Sequence, residues 1–329
     1  MINNVGIIGC GHYLPDLIVS NYEIAKRFEK TESWIEERTG IRERRKAGNG
    51  IATSDMAIKA ANVAIKKANI LPEEVDLIIV ATTTPDMVFP STACLVQNGI
   101  GACNAAALDI SAACTGFMYG LDMAVSYVMS GRYKKILLIG ADTYSRITNQ
   151  NDLQTSILFG DGAGAVVISE VPDGFGVIDS VLGADGSGEN LLQVPAGGSR
   201  LPITHDILNK NLNTIVMNGR EVFQFAVRKF EEVTEQILQK SGLNLEDISL
   251  IIPHQANKRI LQSVAGRLNI PLNKIYCNIE KYGNMSSASI PVALSEACKN
   301  NQVEKGDLLL LIGFGAGLTW GASIIKWYN

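Results

Sequence analysis

The sequence predicts an α/β protein built from two similar halves. Short apolar runs recur at a constant spacing: 77–80 (LIIV) matches 250–253 (LIIP), and 135–140 (KILLIG) matches 308–313 (LLLLIG). The two offsets are equal, since 250 − 77 and 308 − 135 both give 173. Runs that are apolar throughout are typical of strands buried on both faces, which favours largely parallel sheets covered by helices.

The first half begins with a strand near Val5. A periodic helix over 54–68 precedes the strand at 77–80, and a further strand is predicted at 105–110. The apolar run over 117–129 fits a helix that ends before a glycine. Helices therefore alternate with buried strands, which is the order expected of an α/β unit.

The second half repeats this order. A periodic helix over 219–240 precedes the strand at 250–252, and 321–325 (GASII) matches 164–168 (GAVVI) as a third related pair. Two α/β units can look alike by chance, but two equal offsets of 173 make a duplication the better interpretation.

The turn at 172–174 (PDG) marks the boundary between the halves. We therefore divide the chain into an N-terminal half, 1–172, and a C-terminal half, 173–329. One stretch, 183–213, is rich in Gly, Asn, Ser and Pro and weak in periodicity, and we interpret it as a long surface loop or lid with some short structure.

Composition excludes several classes of protein. Apolar residues make up 47% of 329 residues and charged residues 19%, which is typical of a globular chain. The net charge of −4 supplies no general attraction to nucleic acid or to an acidic membrane surface. No secretory signal or membrane-spanning run is visible, and the six cysteines show no metal-ligand spacing. We expect a cytoplasmic protein without a metal site.

Cys114 is the first candidate for chemistry. It follows the strand at 105–110 and precedes the helix over 117–129, with small residues around it. Unpaired N–H groups at a helix N-terminus favour a thiolate, which makes Cys114 a candidate nucleophile. The alternative is a buried structural cysteine in a turn of small residues, and the local sequence leaves the two equally open.

His254 and Asn284 occupy related loops of the second half. His254 follows the strand at 250–252, where α/β enzymes place reactive groups. Asn284 lies near Ser287, which the offset places opposite Cys114, since 287 − 114 is again 173. Taken alone, His254 fits a structural role and Asn284 fits a turn or helix cap.

Four motifs in this order resemble β-ketoacyl-acyl carrier protein synthase III. They are DISAACTGF (109–117), PHQAN (253–257), YGNMSSAS (282–289) and GFGAGLTWG (313–321), and the similarity extends to WIEERTGIR (34–42) and FGDGAG (159–164). By itself, the glycine-rich run at 313–321 fits either an anion-binding loop or a tight hairpin. The resemblance implies a thiolase-like fold, in which duplicated αβ halves form a five-layer αβαβα sandwich, and a homodimer.

The resemblance also implies a decarboxylative condensation without a cofactor. Cys114 would accept an acyl group from a primer thioester, with the N–H groups of Cys114 and Ala316 as its oxyanion hole. His254 and Asn284 would then stabilise the enolate formed when a malonyl thioester on acyl carrier protein loses CO₂. The product would be a 3-ketoacyl thioester that initiates fatty-acid synthesis.

Contacts with the substrates follow from the same resemblance. Trp34, Arg38 and Asn257 match residues that bind coenzyme A (CoA), and Phe89 matches a residue that reaches the acyl pocket across the dimer. Two basic residues, Arg259 and Arg267, would dock the acyl carrier protein. From the residues alone, Phe89 also fits a core aromatic, and the two arginines also fit a solvated helix face.

The sequence departs from the family pattern at two positions, of which the first bears on the primer carrier and the second is tolerated because the backbone N–H group is what acts. Leu153 stands where many members have an arginine that stacks on adenine, and Ala316 replaces a more usual glycine. Loss of the arginine favours, as an alternative, a specialised secondary-metabolite ketosynthase or acyltransferase. A third alternative is a non-catalytic dimerisation partner, against which the intact set of Cys114, His254 and Asn284 argues.

Overall fold

The structure is a computed structural model and describes residues 4–329. The strands are β1 (Val5–Tyr13), β2 (Leu17–Ser20), β3 (Glu43–Lys46), β4 (Leu77–Ala81), β5 (Ala106–Ile110), β6 (Lys135–Thr143), β7 (Asp161–Glu170), β8 (Gly176–Ala184), β9 (Leu192–Gln193), β10 (Val216–Met217), β11 (Leu250–Pro253), β12 (Leu308–Gly315) and β13 (Thr319–Lys326). The helices are α1 (Asn21–Arg27), α2 (Glu32–Thr39), α3 (Thr53–Ala68), α4 (Thr92–Ile100), α5 (Gly116–Met129), α6 (Leu153–Ser156), α7 (His205–Asn209), α8 (Gly219–Ser241), α9 (Lys258–Arg267), α10 (Ile279–Tyr282) and α11 (Ser289–Lys299).

Two mixed sheets form the centre of the molecule. Their strand orders are β1-β7-β6-β4-β5 and β11-β12-β13-β8. Strand β4 runs parallel to β5 and β6, and β11 runs parallel to β12, as the buried apolar runs predict. The expectation of largely parallel sheets is wrong for β7 and β13, which are antiparallel to their neighbours. For β13 the reason is the short hairpin from β12, since a tight turn can join only antiparallel strands.

Helices cover both sheets and also separate them. Helices α5 and α11 pack in one core cluster with residues of both sheets, so they form a central layer. Helices α3 and α4 pack on the outer face of the first sheet, and α8 and α9 pack on the outer face of the second. The order is therefore α, β, α, β, α, which confirms the predicted five-layer sandwich.

The repeat holds residue by residue around the central helices. The predicted pairs of strands start at Leu77 and Leu250, and at Lys135 and Leu308, in each case 173 residues apart. The chain passes from the first sheet to the second at residues 171–175, beside the predicted division between 172 and 173. The division into two separate domains stays a prediction.

The stretch 183–213 contains short elements, as the sequence predicts. A 3-10 helix over Gly186–Leu191 precedes β9, which pairs with β10, and α7 follows β9 along the chain. Across residues 4–329, no helix combines the length and the apolar character needed to cross a bilayer.

Candidate active site

A single cavity brings the three candidate catalytic residues together. Cys114, His254 and Asn284 all line a cavity of about 1170 Å³. Each of them is at least 94% buried, whereas Arg38 and Arg259 on the same cavity are exposed. The cavity therefore leads from a basic mouth to a buried inner end. Its walls are mostly apolar and include Leu192, Val216, Phe223, Phe225, Ile260 and Phe314.

Cys114 lies on a sharp turn between β5 and α5. Ala113 has a φ of +47°, in the left-handed region that side chains other than glycine rarely adopt. A short 3-10 turn over Ala113–Thr115 then leads directly into α5. The predicted place of Cys114 at the head of a helix is confirmed, and the strained residue before it turns the thiol towards the cavity.

The thiol of Cys114 is protonated in the folded chain. Burial and the charge of Asp142 raise the pKa of Cys114 to about 12, although the neighbouring Ser286 hydroxyl acts in the opposite direction. The expectation of a ready thiolate is therefore wrong, because the desolvation of a buried thiol outweighs the helix N-terminus. A reaction at Cys114 has to remove this proton as the new bond forms.

His254 presents a neutral imidazole to the cavity. Its backbone N–H donates to the carbonyl of Ile312 (2.8 Å), which holds the loop after β11 against β12. Burial lowers the pKa of His254 to about 3. Within residues 4–329, the buried Nδ1 atom has no hydrogen-bond partner. A neutral ring carries one donor and one acceptor, so His254 can donate a hydrogen bond without carrying a charge.

Asn284 is fixed in place, and among residues 4–329 its amide donor makes no hydrogen bond. Its backbone N–H donates to Leu158 and its carbonyl accepts from Gly160, both at 2.9 Å. The side-chain Oδ1 accepts from the backbone N–H of Ser286 (2.8 Å). Because Oδ1 is occupied in this way, the Nδ2 group is the part of the amide that is available to a ligand.

The glycine-rich run forms a hairpin turn against the Cys114 elbow. It joins β12 to β13, so the hairpin alternative is confirmed for the backbone. A Cβ atom on Gly315 would lie 2.9 Å from the backbone nitrogen of Cys114, which shows how closely the two segments approach. Gly315 and Leu318 line the cavity, and Ala316 lies between them without lining it. The role of the Ala316 N–H group stays a prediction.

Trp34, Arg38 and Asn257 lie together at the mouth. The guanidinium carbon of Arg38 is 4.0 Å from the centre of the Trp34 ring, one helical turn away on α2. Asn257 caps α9 by accepting from the N–H of Arg259 (2.9 Å) and donates to the carbonyl of Arg38 (3.1 Å). Asn257 thus joins two helices that carry basic residues of the mouth, and its predicted contact with substrate stays a prediction.

The two predicted docking arginines differ in position. Arg259 lines the mouth of the cavity, whereas Arg267 is absent from its lining. At the far end of α9, Arg267 forms an exposed ion pair with Glu231 (3.2 Å). Leu153, the departure from the family pattern, lines the cavity on α6.

Phe89 lies outside the cavity. Its side chain is 82% exposed beside Val88, which is 92% exposed, so the alternative of a core aromatic is wrong. The apolar character of Phe89 suggested a core position. The residue is exposed because none of the hydrophobic clusters of residues 4–329 includes it. A contribution of Phe89 to the pocket of a partner chain stays a prediction.

Three residues near the site were not singled out from the sequence. Ser286 has a φ of +50° and starts a 3-10 turn, as Ala113 does in the first half. Since 286 − 113 is 173, the repeat could have identified it. Asp142 is fully buried and accepts hydrogen bonds from the N–H and hydroxyl groups of Ser287. Arg220 lines the mouth of the cavity. Neither residue lies in a sequence motif that would have identified it as part of the site.

In the described part of the chain, no group of three or more His, Cys, Asp or Glu side chains is placed to hold an ion. What the arrangement offers is a buried thiol, one neutral imidazole and one amide donor around an apolar cavity. Such a set suits acyl transfer followed by stabilisation of a developing enolate oxygen.

Comparisons with known proteins agree with this assignment. Models described as 3-oxoacyl-[acyl-carrier-protein (ACP)] synthase III and its C-terminal part match residues 108–186 and 238–327. The chain is 51% identical to beta-ketoacyl-[acyl-carrier-protein] synthase III of Caldanaerobacter subterraneus over 98% of this chain and 97% of that one. It is 52% identical to the protein of the same name from Clostridioides difficile, over 99% of each.

Solved structures show the same relationship. The 3-oxoacyl-[acyl-carrier-protein] synthase III of Aquifex aeolicus matches with a TM-score of 0.91 and 46% identity, over 98% of this chain and 100% of that one. The priming beta-ketosynthase of the R1128 polyketide biosynthetic pathway matches with a TM-score of 0.91 and 34% identity, over 99% and 97%.

The fold and the site together define a condensing enzyme of the thiolase fold, which is an acyltransferase. Within that class, the chain belongs to the β-ketoacyl-[acyl-carrier-protein] synthase III family.

Proposed function

We propose that this enzyme condenses an acyl thioester primer with a malonyl thioester and thereby initiates fatty-acid synthesis. The observation that carries the proposal is that Cys114, His254 and Asn284 line the buried end of one cavity. The primer is an acyl-CoA or an acyl carrier protein thioester, and the malonyl group arrives on acyl carrier protein. The reaction needs no cofactor beyond these substrates.

The first half-reaction moves the acyl group to Cys114. The sulfur attacks the thioester carbonyl, and the oxyanion so formed is held by the backbone N–H groups of Cys114 and Ala316. The carbon–sulfur bond to the carrier then breaks. The carrier leaves as a thiol, so the proton lost by Cys114 is balanced by the one gained by the leaving group. Because the pKa of the Cys114 thiol is about 12, the thiol keeps its proton until the attack on the primer begins.

The second half-reaction uses the residues of the other half of the chain. As the malonyl carboxylate leaves as CO₂, its electron pair forms an enolate whose oxygen accepts from His254 and from Nδ2 of Asn284. The enolate carbon attacks the acyl-Cys114 carbonyl, and the carbon–sulfur bond breaks. The released thiolate takes up one proton and restores the Cys114 thiol.

The mouth of the cavity supports recognition of an anionic carrier. Arg38, Arg220 and Arg259 line it, and no Asp or Glu residue does. Trp34, Arg38 and Asn257 contact the carrier's CoA-like arm, and Arg259 and Arg267 dock the acidic acyl carrier protein. We place the enzyme in the cytoplasm as a homodimer, in which the exposed Phe89, Val88 and Met87 side chains would be covered.

A priming ketosynthase of secondary metabolism is the second candidate. It is favoured by the apolar Leu153 at the mouth and by similarity to the R1128 priming enzyme. The two candidates share the same chemistry and differ in the primer.

The test is intact mass spectrometry with a panel of acyl-CoA and acyl carrier protein thioesters. We expect one acyl mass per chain, mapped by peptide to Cys114, and CO₂ release from malonyl carrier protein. Cys94 and Cys103 are exposed, so they serve as internal controls for nonspecific acylation. Labelling of Cys94 instead of Cys114, or no labelling, would overturn the proposal, and the preferred primer decides between the two candidates.

A further inference from the structure

A buried carboxylate connects the two loops that carry His254 and Asn284. Glu296 lies on α11, in the central helical layer, and is only 9% exposed. Its Oε2 atom accepts from the side-chain Nδ2 of Asn278, and its Oε1 atom accepts from the hydroxyl of Tyr282, both at 2.8 Å. A buried carboxylate needs such donors, because each missing hydrogen bond costs free energy in an apolar interior.

One branch of this network leads to His254. The backbone N–H of Asn278 donates to Oε1 of Gln255 (3.2 Å), the residue directly after His254. Gln255 is fully buried, and its Nε2 group donates to the carbonyls of Pro253 (2.9 Å) and Tyr276 (3.1 Å). The side chain of Gln255 therefore holds the His254 loop against the segment that Glu296 holds.

The other branch leads to Asn284. Tyr282 ends α10 and is separated from Asn284 by Gly283 alone, whose φ of +65° turns the chain. A displacement of the Tyr282 backbone is thus passed to Asn284 through one residue. In the other direction, Asn284 is held by Leu158 and Gly160 of the first half.

Glu296 is ionised under this arrangement. Burial alone would raise the pKa of Glu296, but the donors Asn278, Tyr282 and Tyr276 outweigh burial and hold that pKa below its ordinary value. Hydrogen bonds to an ionised acceptor are about twice as strong as neutral ones. Glu296 therefore holds Asn278 and Tyr282 in place more strongly than a neutral side chain would.

We propose that Glu296 is a positioning residue that sets the distance between the His254 imidazole and the Asn284 amide for the second half-reaction. It acts through Asn278 and Gln255 on one side and through Tyr282 on the other. The inference rests on the proposed function, because it assigns these two donors to the enolate oxygen. Cys114 lies on the other half of the chain. Within residues 4–329 it makes no hydrogen bond to Glu296 or to the three side chains through which Glu296 acts, so acylation should depend on this network far less than CO₂ release does.

The test compares variants that fill the same space with and without hydrogen bonds. Glu296→Met keeps the volume and removes both bonds, whereas Glu296→Gln can accept from Asn278 and donate to Tyr282. Misplacement by about 1 Å can cost roughly a hundredfold in rate, so Glu296→Met should lower CO₂ release from a malonyl thioester roughly ten- to a hundredfold. Acylation of Cys114 should stay within about twofold, and Glu296→Gln should restore most of the CO₂ release.

Tyr282→Phe provides a milder variant in case Glu296→Met folds poorly. It deletes one hydroxyl that donates to the ionised Glu296 and should lower CO₂ release about tenfold with acylation unchanged, since a hydrogen bond to a charged group is worth about 1.5 kcal/mol or more. If both half-reactions fall in the same proportion, or neither falls, Glu296 is only structural and the inference is wrong. The wild-type enzyme tests the proposed function separately: if it releases no CO₂, that function fails and the inference falls with it.

Discussion

Burial of a neutral His254 predicts a specific sensitivity of the folded state to acid. The pKa of His254 falls from its ordinary 6.5 to about 3 because the ring is desolvated. Below pH 6.5 the unfolded chain therefore binds a proton that the folded chain excludes. Where the unfolded state binds more protons than the folded state, the free energy of unfolding decreases as the pH falls. The stability of this protein should therefore decrease as the pH falls below 6.5. Integrated from about pH 6.5 to about pH 5, the loss is about 1–2 kcal/mol for this one side chain.

Urea denaturation of the wild type and of His254→Gln at these two pH values measures the effect. Glutamine cannot take up the proton, so the variant should lose about 1–2 kcal/mol less than the wild type over this range. Burial also lowers the pKa of His12, but both proteins contain His12 and its contribution cancels. If both proteins lose the same stability, His254 is not held neutral by the fold, and its assignment as an uncharged donor is refuted.

Three further changes probe the elbows and the mouth. Asn284→Asp replaces the free donor by an acceptor, so CO₂ release should fall about 10²- to 10³-fold with Cys acylation retained; an equal fall in acylation would contradict this. Gly140→Ala places a methyl group against the carbonyl of Ser287, so unfolding free energy should drop by about 1–3 kcal/mol, and an unchanged denaturation midpoint would be evidence against it. Leu153→Arg adds a cation near Trp34 and should lower the acyl-CoA Michaelis constant about three- to thirtyfold, leaving the carrier-protein constant unchanged; no change in either would show that Leu153 only packs.

The sequence predicts the fold well because its strongest signals are local. Strands β4, β6, β11 and β12 are continuous apolar runs, and their spacing is visible without any tertiary contact. The same spacing places Asn284 in the counterpart of the Cys114 loop, and the structure brings both to one cavity. The antiparallel β7 was not predicted, and β13 was anticipated only by the hairpin alternative for residues 313–321, because strand direction depends on the path of the intervening chain.

Properties that depend on contacts between distant segments could not be predicted. The raised pKa of Cys114 follows from burial between the two halves, which no feature of residues 109–117 reveals. Glu296 lies in an ordinary helical sequence, and its hydrogen bonds form only when the fold brings Asn278 and Tyr282 next to it. Phe89 shows the opposite case, since its apolar side chain predicts burial that a single chain does not provide.

The matched elbows at Ala113 and Ser286 have a consequence for the ancestry of the enzyme. Two identical chains assembled in this way would present the same side chain at both positions, so a nucleophile on one elbow would face a second copy on the other. Here Cys114 occupies one position, and the hydroxyl of its counterpart Ser287 lies within hydrogen-bond distance of Asp142 (2.6 Å) and of the carbonyl of Ala81 (2.8 Å). A fused chain can mutate its halves separately, which allows one of two symmetric elbows to carry the attacking sulfur and the other to become a scaffold.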